Sequence, residues 1–92
     1  MRIIDEFDIS GIKATVFKMN ERISVKFEYN LLEQTYKFRD GSGVNTPEEV
    51  KSFCSEAFVQ QLKSTFDLMA SARKDSLLSM IVAQGEIFDE II

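Results

Sequence analysis

The fold of this chain is decided by residues 46–84, which read TPEEVKSFCSEAFVQQLKSTFDLMASARKDSLLSMIVAQ. The first four residues place a hydroxyl at the N-cap, a proline at the first helical position and a carboxylate at the third, a pattern typical of a helix start. Apolar side chains then recur every three or four residues, the period of one face of an α-helix. The stretch therefore predicts a long helical region with a buried face.

The sequence leaves the continuity of this helical region open. Ser55 and Glu56 can cap a new helix, so a short helix ending at Cys54 and a longer one after it are an alternative to a single rod. A helix from Ser55 to Gln84 would be about 45 Å long, whereas a strand of eight residues spans about 26 Å. The second half must then overhang the sheet or fold back at residues 71–76, which contain neither Gly nor Pro.

Residues 1–40 predict a four-stranded β meander. The clearest strand is 23–29, where apolar and polar side chains alternate as they do on a sheet that buries one face. The glycine-rich run 40–43 ends the meander. Turn residues separate the four strands at Ser10-Gly11, Asn20-Glu21 and Asn30.

The order of these elements predicts the fold class. In the first strand the alternation is looser, with Ile3, Phe7 and Ile9 set against Asp5 and Asp8. An antiparallel sheet with one buried face needs a covering layer, which the helical region supplies. We expect an α+β fold of order β-β-β-β-α, with the helix packed on one face and either continuous or broken in two.

The length of the chain sets its domain organisation. Its 92 residues are enough for one small core, so we expect a single domain over 1–92, with the meander at 1–40, the helical region at 46–84 and an apolar, acidic tail at 85–92. No apolar run approaches the roughly 18 residues of a membrane span. The single cysteine, Cys54, is consistent with a reducing compartment. We expect a cytoplasmic protein without a membrane partner.

The composition argues against catalysis. The chain contains no histidine, which removes the commonest general base and metal ligand. Cys54 lies among apolar residues at helical spacing, which favours a core role. The loop 40–43 lacks the lysine of a phosphate-binding P-loop. Gln34, an inward polar residue, is expected to make a structural hydrogen bond. We expect no enzymatic activity, no cofactor and no metal site.

The end of the helical region favours self-association. Residues 77–83 are apolar on nearly all sides of the predicted helix, and the tail adds more apolar residues than one small sheet can cover. Our principal hypothesis is therefore a binding protein that forms a homodimer through Leu77, Ile81 and Phe88. A monomer in which this segment folds back on the sheet is the alternative, and an unknown protein partner is a third.

The charge distribution supports a second hypothesis. Residues 11–39 hold six basic and three acidic side chains, a local charge of +3, so the rest of the chain carries −7 to give the net charge of −4. A basic sheet face with an aromatic residue is typical of single-stranded nucleic-acid binding. An ordinary solvated face is the interpretation that the acidic total favours. The candidate face comprises Lys13, Phe17, Arg22, Lys26, Lys37 and Arg39.

Two resemblances concern this element order and one short motif. The order β-β-β-β-α resembles, in topology alone, the single-stranded-DNA-binding domain of the positive-cofactor-four type of transcriptional coactivator and the Pur-alpha repeat, whose helices pair and whose sheets face nucleic acid. The run 32–37, LEQTYK, followed by a helix with Phe58, Phe66 and Met69, is similar to a group of small, uncharacterised bacterial proteins. This likeness covers about half of the chain and implies a bacterial source but no activity.

Overall fold

The computed structural model describes residues 1–83, which form four strands and two helices. The strands form one antiparallel sheet in the order of the sequence, and the helices follow. This arrangement confirms the β-β-β-β-α order, with the helical region divided in two. The elements are β1 (Arg2–Ile9), β2 (Ile12–Met19), β3 (Arg22–Tyr29), β4 (Leu32–Lys37), α1 (Pro47–Phe53) and α2 (Glu56–Ala83).

Two-residue turns of one type set the register of the sheet. Both residues of each turn have positive φ, from 51° at Asn20 and Asn30 to 83° at Gly11, which is the signature of the type I′ hairpin turn. Such turns match the right-handed twist of the strands that they join. As a result Val25 of β3 lies opposite Val16 of β2 on one side and opposite Tyr36 of β4 on the other.

The core lies between the inner face of the sheet and the two helices. Its members alternate along β2 and β3 as the sequence predicts, and one face of α2 with one residue of α1 covers them. The rings of Tyr36 in β4 and Phe58 in α2 pack against Phe27, and Phe53 of α1 packs against both of those rings. The fully buried cluster is Ile12, Ala14, Val16, Ile23, Val25, Phe27, Val50, Leu62 and Phe66.

The first strand departs from regular alternation. Ile3 pairs with Phe17 on the outer face and is 54% exposed, whereas Phe7 pairs with Ala14 on the inner face. A β-bulge between Ile3 and Asp5 shifts the register and exchanges the two faces. The bulge explains why the apolar and polar residues of this strand alternate only loosely in the sequence, because simple alternation cannot show a bulge.

Hydroxyl caps open both helices. Thr46 Oγ1 accepts the N–H of Glu49 at 3.2 Å, and the Glu49 carboxylate accepts the N–H of Asn45 at 2.8 Å. Ser55 Oγ accepts the N–H of Phe58 at 3.2 Å, which starts α2 directly after α1 ends at Phe53. These contacts confirm the predicted helix start at Thr46 and the break that the sequence left open at Ser55.

The second half of α2 extends past the sheet. The helix has 28 residues and is therefore about 42 Å long. Arg73 Nη1 donates to the carbonyl of Asn30 at 3.2 Å, in the turn between β3 and β4, and this contact marks the end of the sheet below the helix. We call residues 74–83 the overhang. Because α2 is continuous through 71–76, the structure has the overhang and not the fold-back.

Candidate functional site

The outer face of the sheet contains a concave basic surface, which we define by Phe17, Arg22, Lys26, Lys37 and Arg39. These side chains come from three neighbouring strands and the residues that follow β4, and they line one cavity of about 850 Å³. They belong together because outward positions of paired strands share a face, with Phe17 opposite Ser24 and Ser24 opposite Lys37. The structure thus brings together five of the six candidates on this face.

The sixth candidate, Lys13, lies apart from the concave basic surface. Its Nζ is 3.8 Å from the Glu6 carboxylate of β1, and the register places it opposite Asp8 and Glu28. Glu28 in turn lies opposite Glu33. Lys13 therefore belongs to an acidic half of the outer face. Sequence alone could not separate it from the other bases, because its neighbours come from other strands.

Phe17 is the aromatic centre of the concave basic surface. Lys26 Nζ lies 5.5 Å from the centroid of the Phe17 ring, within the range of a cation–π contact. The same ammonium group lies 3.8 Å from Glu28 Oε1. Lys26 therefore holds the half-exposed ring from one side, while an ion pair partly neutralises its own charge.

The other cations of this surface have no such partner among the residues that the structure describes. Within residues 1–83, Arg22, Lys37 and Arg39 form no ion pair, and Asp40 is the acidic side chain among the residues that line the cavity. The surface therefore presents charge that a polyanion can neutralise. Several further lining residues are not among the predicted candidates: Met19, Ser24 and Thr35 at outward strand positions, and Asn20 in the turn between β2 and β3.

Two polar side chains on the inner face serve the fold. Gln34 Nε2 donates to the carbonyl of Leu62 at 3.1 Å, and the Tyr36 hydroxyl donates to Gln34 Oε1 at 2.8 Å. Gln34 is buried, so these bonds satisfy its amide and join β4 to α2. The predicted structural hydrogen bond of Gln34 is confirmed.

Cys54 is half-buried and packs against the core at the end of α1. Burial raises the pKa of its thiol, because a low-polarity environment disfavours the thiolate. The thiol is therefore protonated near neutral pH and is a poor nucleophile. This environment supports the core role that the sequence predicts.

The predicted self-association residues lie on the overhang or beyond it. Leu77 is 45% exposed, Ile81 is half-buried, and Phe88 lies outside the described residues. Several apolar residues that the sequence analysis did not select are more exposed, among them Met80 and Leu31. Met80 on α2 is 56% exposed, and Leu31 in the turn between β3 and β4 is 99% exposed.

Comparisons with known proteins give no assignment. No protein-family model, curated protein or solved structure matches this chain. Within residues 1–83 there is no group of three or more His, Cys, Asp or Glu residues that could hold a metal ion. No helix in this range combines the length and the apolar character needed to cross a membrane.

Proposed function

We propose that this protein is a small binding protein whose concave basic surface holds single-stranded nucleic acid. The observation that carries the proposal is the separation of charge on the outer face. The concave half combines four cations with an aromatic ring, while Lys13 and its acidic neighbours occupy the other half. The stability of an ordinary solvated sheet face does not require basic and acidic side chains to be separated in this way.

The local charge opposes the net charge of the chain. The cavity is lined by four basic side chains and by Asp40, a local charge of +3, whereas the whole chain carries −4. At physiological ionic strength the Debye length is about 8 Å, so charges farther away are largely screened. A phosphate within the cavity therefore responds mainly to the basic side chains around it.

The residue types suit the two parts of a nucleotide. Arg22 and Arg39 can each donate two parallel hydrogen bonds from the guanidinium group to one phosphate. Lys37 supplies a compact positive charge. The Phe17 ring offers a flat apolar face on which a base can stack, an interaction worth about 1–3 kcal/mol. Phosphate pairing and base stacking on one surface are the two components of single-strand binding.

The aromatic ring favours a single strand over a duplex. Bases in a duplex are stacked on one another and cannot reach a ring on a sheet, whereas bases of a single strand are free to do so. Because the surface would contact phosphates and the flat face of a base, which all nucleotides share, we expect little sequence preference.

The test is fluorescence anisotropy of labelled single-stranded DNA and RNA oligonucleotides at low and moderate salt. We expect salt-sensitive binding, with a log–log slope of at most about 3 if all four cations contact phosphates. Lys37→Glu and Lys26→Glu should weaken it strongly.

Lys13→Glu is the matched control, because it makes the same charge change on the same sheet face outside the cavity. It should have a much smaller effect. Absence of binding at low salt, or equal losses for Lys13→Glu and Lys37→Glu, would exclude the proposed function.

A further inference from the structure

The face of α2 that covers the sheet continues into the overhang. In the first half this face carries Val59, Leu62 and Phe66, which are buried against the sheet. At the same helical spacing it continues, beyond Arg73, with Leu77 and Met80, which are 45% and 56% exposed. The helix therefore presents to solvent the continuation of a face that is buried about three turns earlier, at Phe66.

A second exposed apolar group lies where α2 leaves the sheet. Leu31 is the second residue of the turn between β3 and β4, with φ of 63° and 99% exposure. The residue before it, Asn30, is the acceptor of the Arg73 hydrogen bond, so this turn adjoins the start of the overhang. The apolar face of the overhang and Leu31 thus occupy the same end of the molecule.

The other two turns show that Leu31 is unusual. They share its backbone conformation but have Gly11 and Glu21 at the equivalent position. A leucine in the left-handed region costs about 1–2 kcal/mol relative to its usual conformations, and exposing its side chain adds no stability to a monomer. Its presence beside the overhang is explained if the side chain is covered in the functional state.

We propose that the apolar face of the overhang and Leu31 form a reciprocal docking surface for a second copy of this chain. In an antiparallel pair with its two-fold axis between Leu77 and Met80, each overhang packs against the other. The end of each helix then lies beside the other copy's Arg73 and its β3–β4 turn, where Leu31 is exposed. One two-fold operation covers both exposed apolar groups at once.

The charge pattern of the overhang selects a copy of itself as the occupant. From Ser76 to Ala83 the helix carries no charged side chain, so two overhangs meet without like-charge repulsion. The charged side chains of the overhang, Lys74 and Asp75, stand at its start, so residues 76–83 give a charged partner peptide nothing to pair with. The surface shares no residue with the concave basic surface, so the two proposals are independent.

The experiment is multi-angle light scattering of the full chain, from micromolar to millimolar concentration, with wild type and four variants, one of them a control. The wild type should approach twice the chain mass of 10.5 kDa and dissociate on dilution, as a small interface requires. Leu77→Lys and Met80→Lys should each weaken the dimer roughly tenfold or more, because a charge would be buried in the contact. Circular dichroism checks that the variants remain folded.

The third variant, Leu31→Asn, distinguishes docking from folding. Asparagine suits a type I′ turn, so the monomer should fold at least as well as wild type. The dimer, however, should be weaker and should dissociate at a higher protein concentration than the wild-type dimer. Leu68→Lys is the control, since Leu68 is 72% exposed on another side of α2 and its substitution should not change the mass.

A wild-type mass of one chain at every concentration overturns the proposal, as expected if residues beyond Ala83 cover the face within one chain. A dimer that Leu77→Lys leaves intact, or that responds to Leu77→Lys but not to Leu31→Asn, overturns the reciprocal arrangement. The anisotropy assay of nucleic-acid binding is a separate readout, so each proposal can fail alone.

Discussion

Lys26 lies over the ring of Phe17, with its Nζ 5.5 Å from the ring centroid, on the outer face of a sheet whose inner face holds the core. Outward aromatic residues on a sheet are normally covered or absent, because their burial contributes stability only when water is removed. Here a cation orients the ring and leaves it half-exposed. The pair is therefore suited to receive a flat ligand group between the ring and the neighbouring cations.

Replacement of this ring should separate stacking from charge. We expect Phe17→Leu to weaken oligonucleotide binding about tenfold to a hundredfold, because leucine keeps apolar volume but has no aromatic face for a base. Anisotropy titrations at one low salt concentration would measure the loss. The matched variant Met19→Leu changes another residue that lines the same cavity and should keep the affinity of the wild type. Equal affinities for Phe17→Leu and wild type would exclude stacking on this ring.

The hydrogen bonds of Gln34 should matter for stability and not for binding. Gln34→Leu removes the buried donor to the Leu62 carbonyl and the acceptor of the partly buried Tyr36 hydroxyl. We expect the free energy of unfolding to fall by about 1–3 kcal/mol, measured by urea denaturation. Thr35→Val, at the neighbouring exposed position on the other face, should change it by less than about 0.5 kcal/mol. If both variants lose the same amount, the Gln34 network does not stabilise the fold.

The cap at Ser55 should stabilise the start of α2. Ser55→Ala removes the acceptor of the Phe58 N–H and should lower the free energy of unfolding by about 1 kcal/mol. Ser52→Ala is the natural control, since Ser52 is exposed within α1 and alanine favours a helix. Thermal or urea unfolding of the pair would measure the difference, and a Ser52→Ala variant that is destabilised as much would contradict the capping role.

Local signals in the sequence predicted the parts of the fold that local physics controls. Alternation in β2 and β3 identified the buried face, because each position there depends only on its own strand. The hydroxyls of Thr46 and Ser55 identified the helix starts for the same reason. β1 was different, because its bulge between Ile3 and Asp5 appears only when β1 is paired with β2.

The candidate site depended on contacts between strands, and sequence resolved it only in part. Outward position correctly grouped five side chains, but it also included Lys13, whose neighbour Glu6 comes from another strand. The exposed position of Leu31 was equally out of reach, since a turn sequence does not show what lies beside it. The choice between overhang and fold-back was also open in the sequence, because residues 71–76 contain no helix-breaking Gly or Pro and few apolar side chains, whereas in the structure α2 is continuous through them.

The environment of Cys54 predicts a defined pH dependence. Burial raises the pKa of its thiol in the folded state, so the neutral thiol is favoured there relative to the unfolded chain. The resulting contribution to stability is complete below the unfolded pKa, about 8.5, and is lost as the pH rises through the folded pKa.

Alkylation of the folded protein by iodoacetamide should accordingly reach its half-maximal rate at a higher pH than alkylation of the protein in urea. Urea denaturation of wild type and Cys54→Ala between pH 7 and about pH 10 isolates the same group, because the other titrating residues are common to both. The stability difference between the two should shrink as the pH rises, and a difference that stays constant would show that the thiol does not titrate differently in the two states.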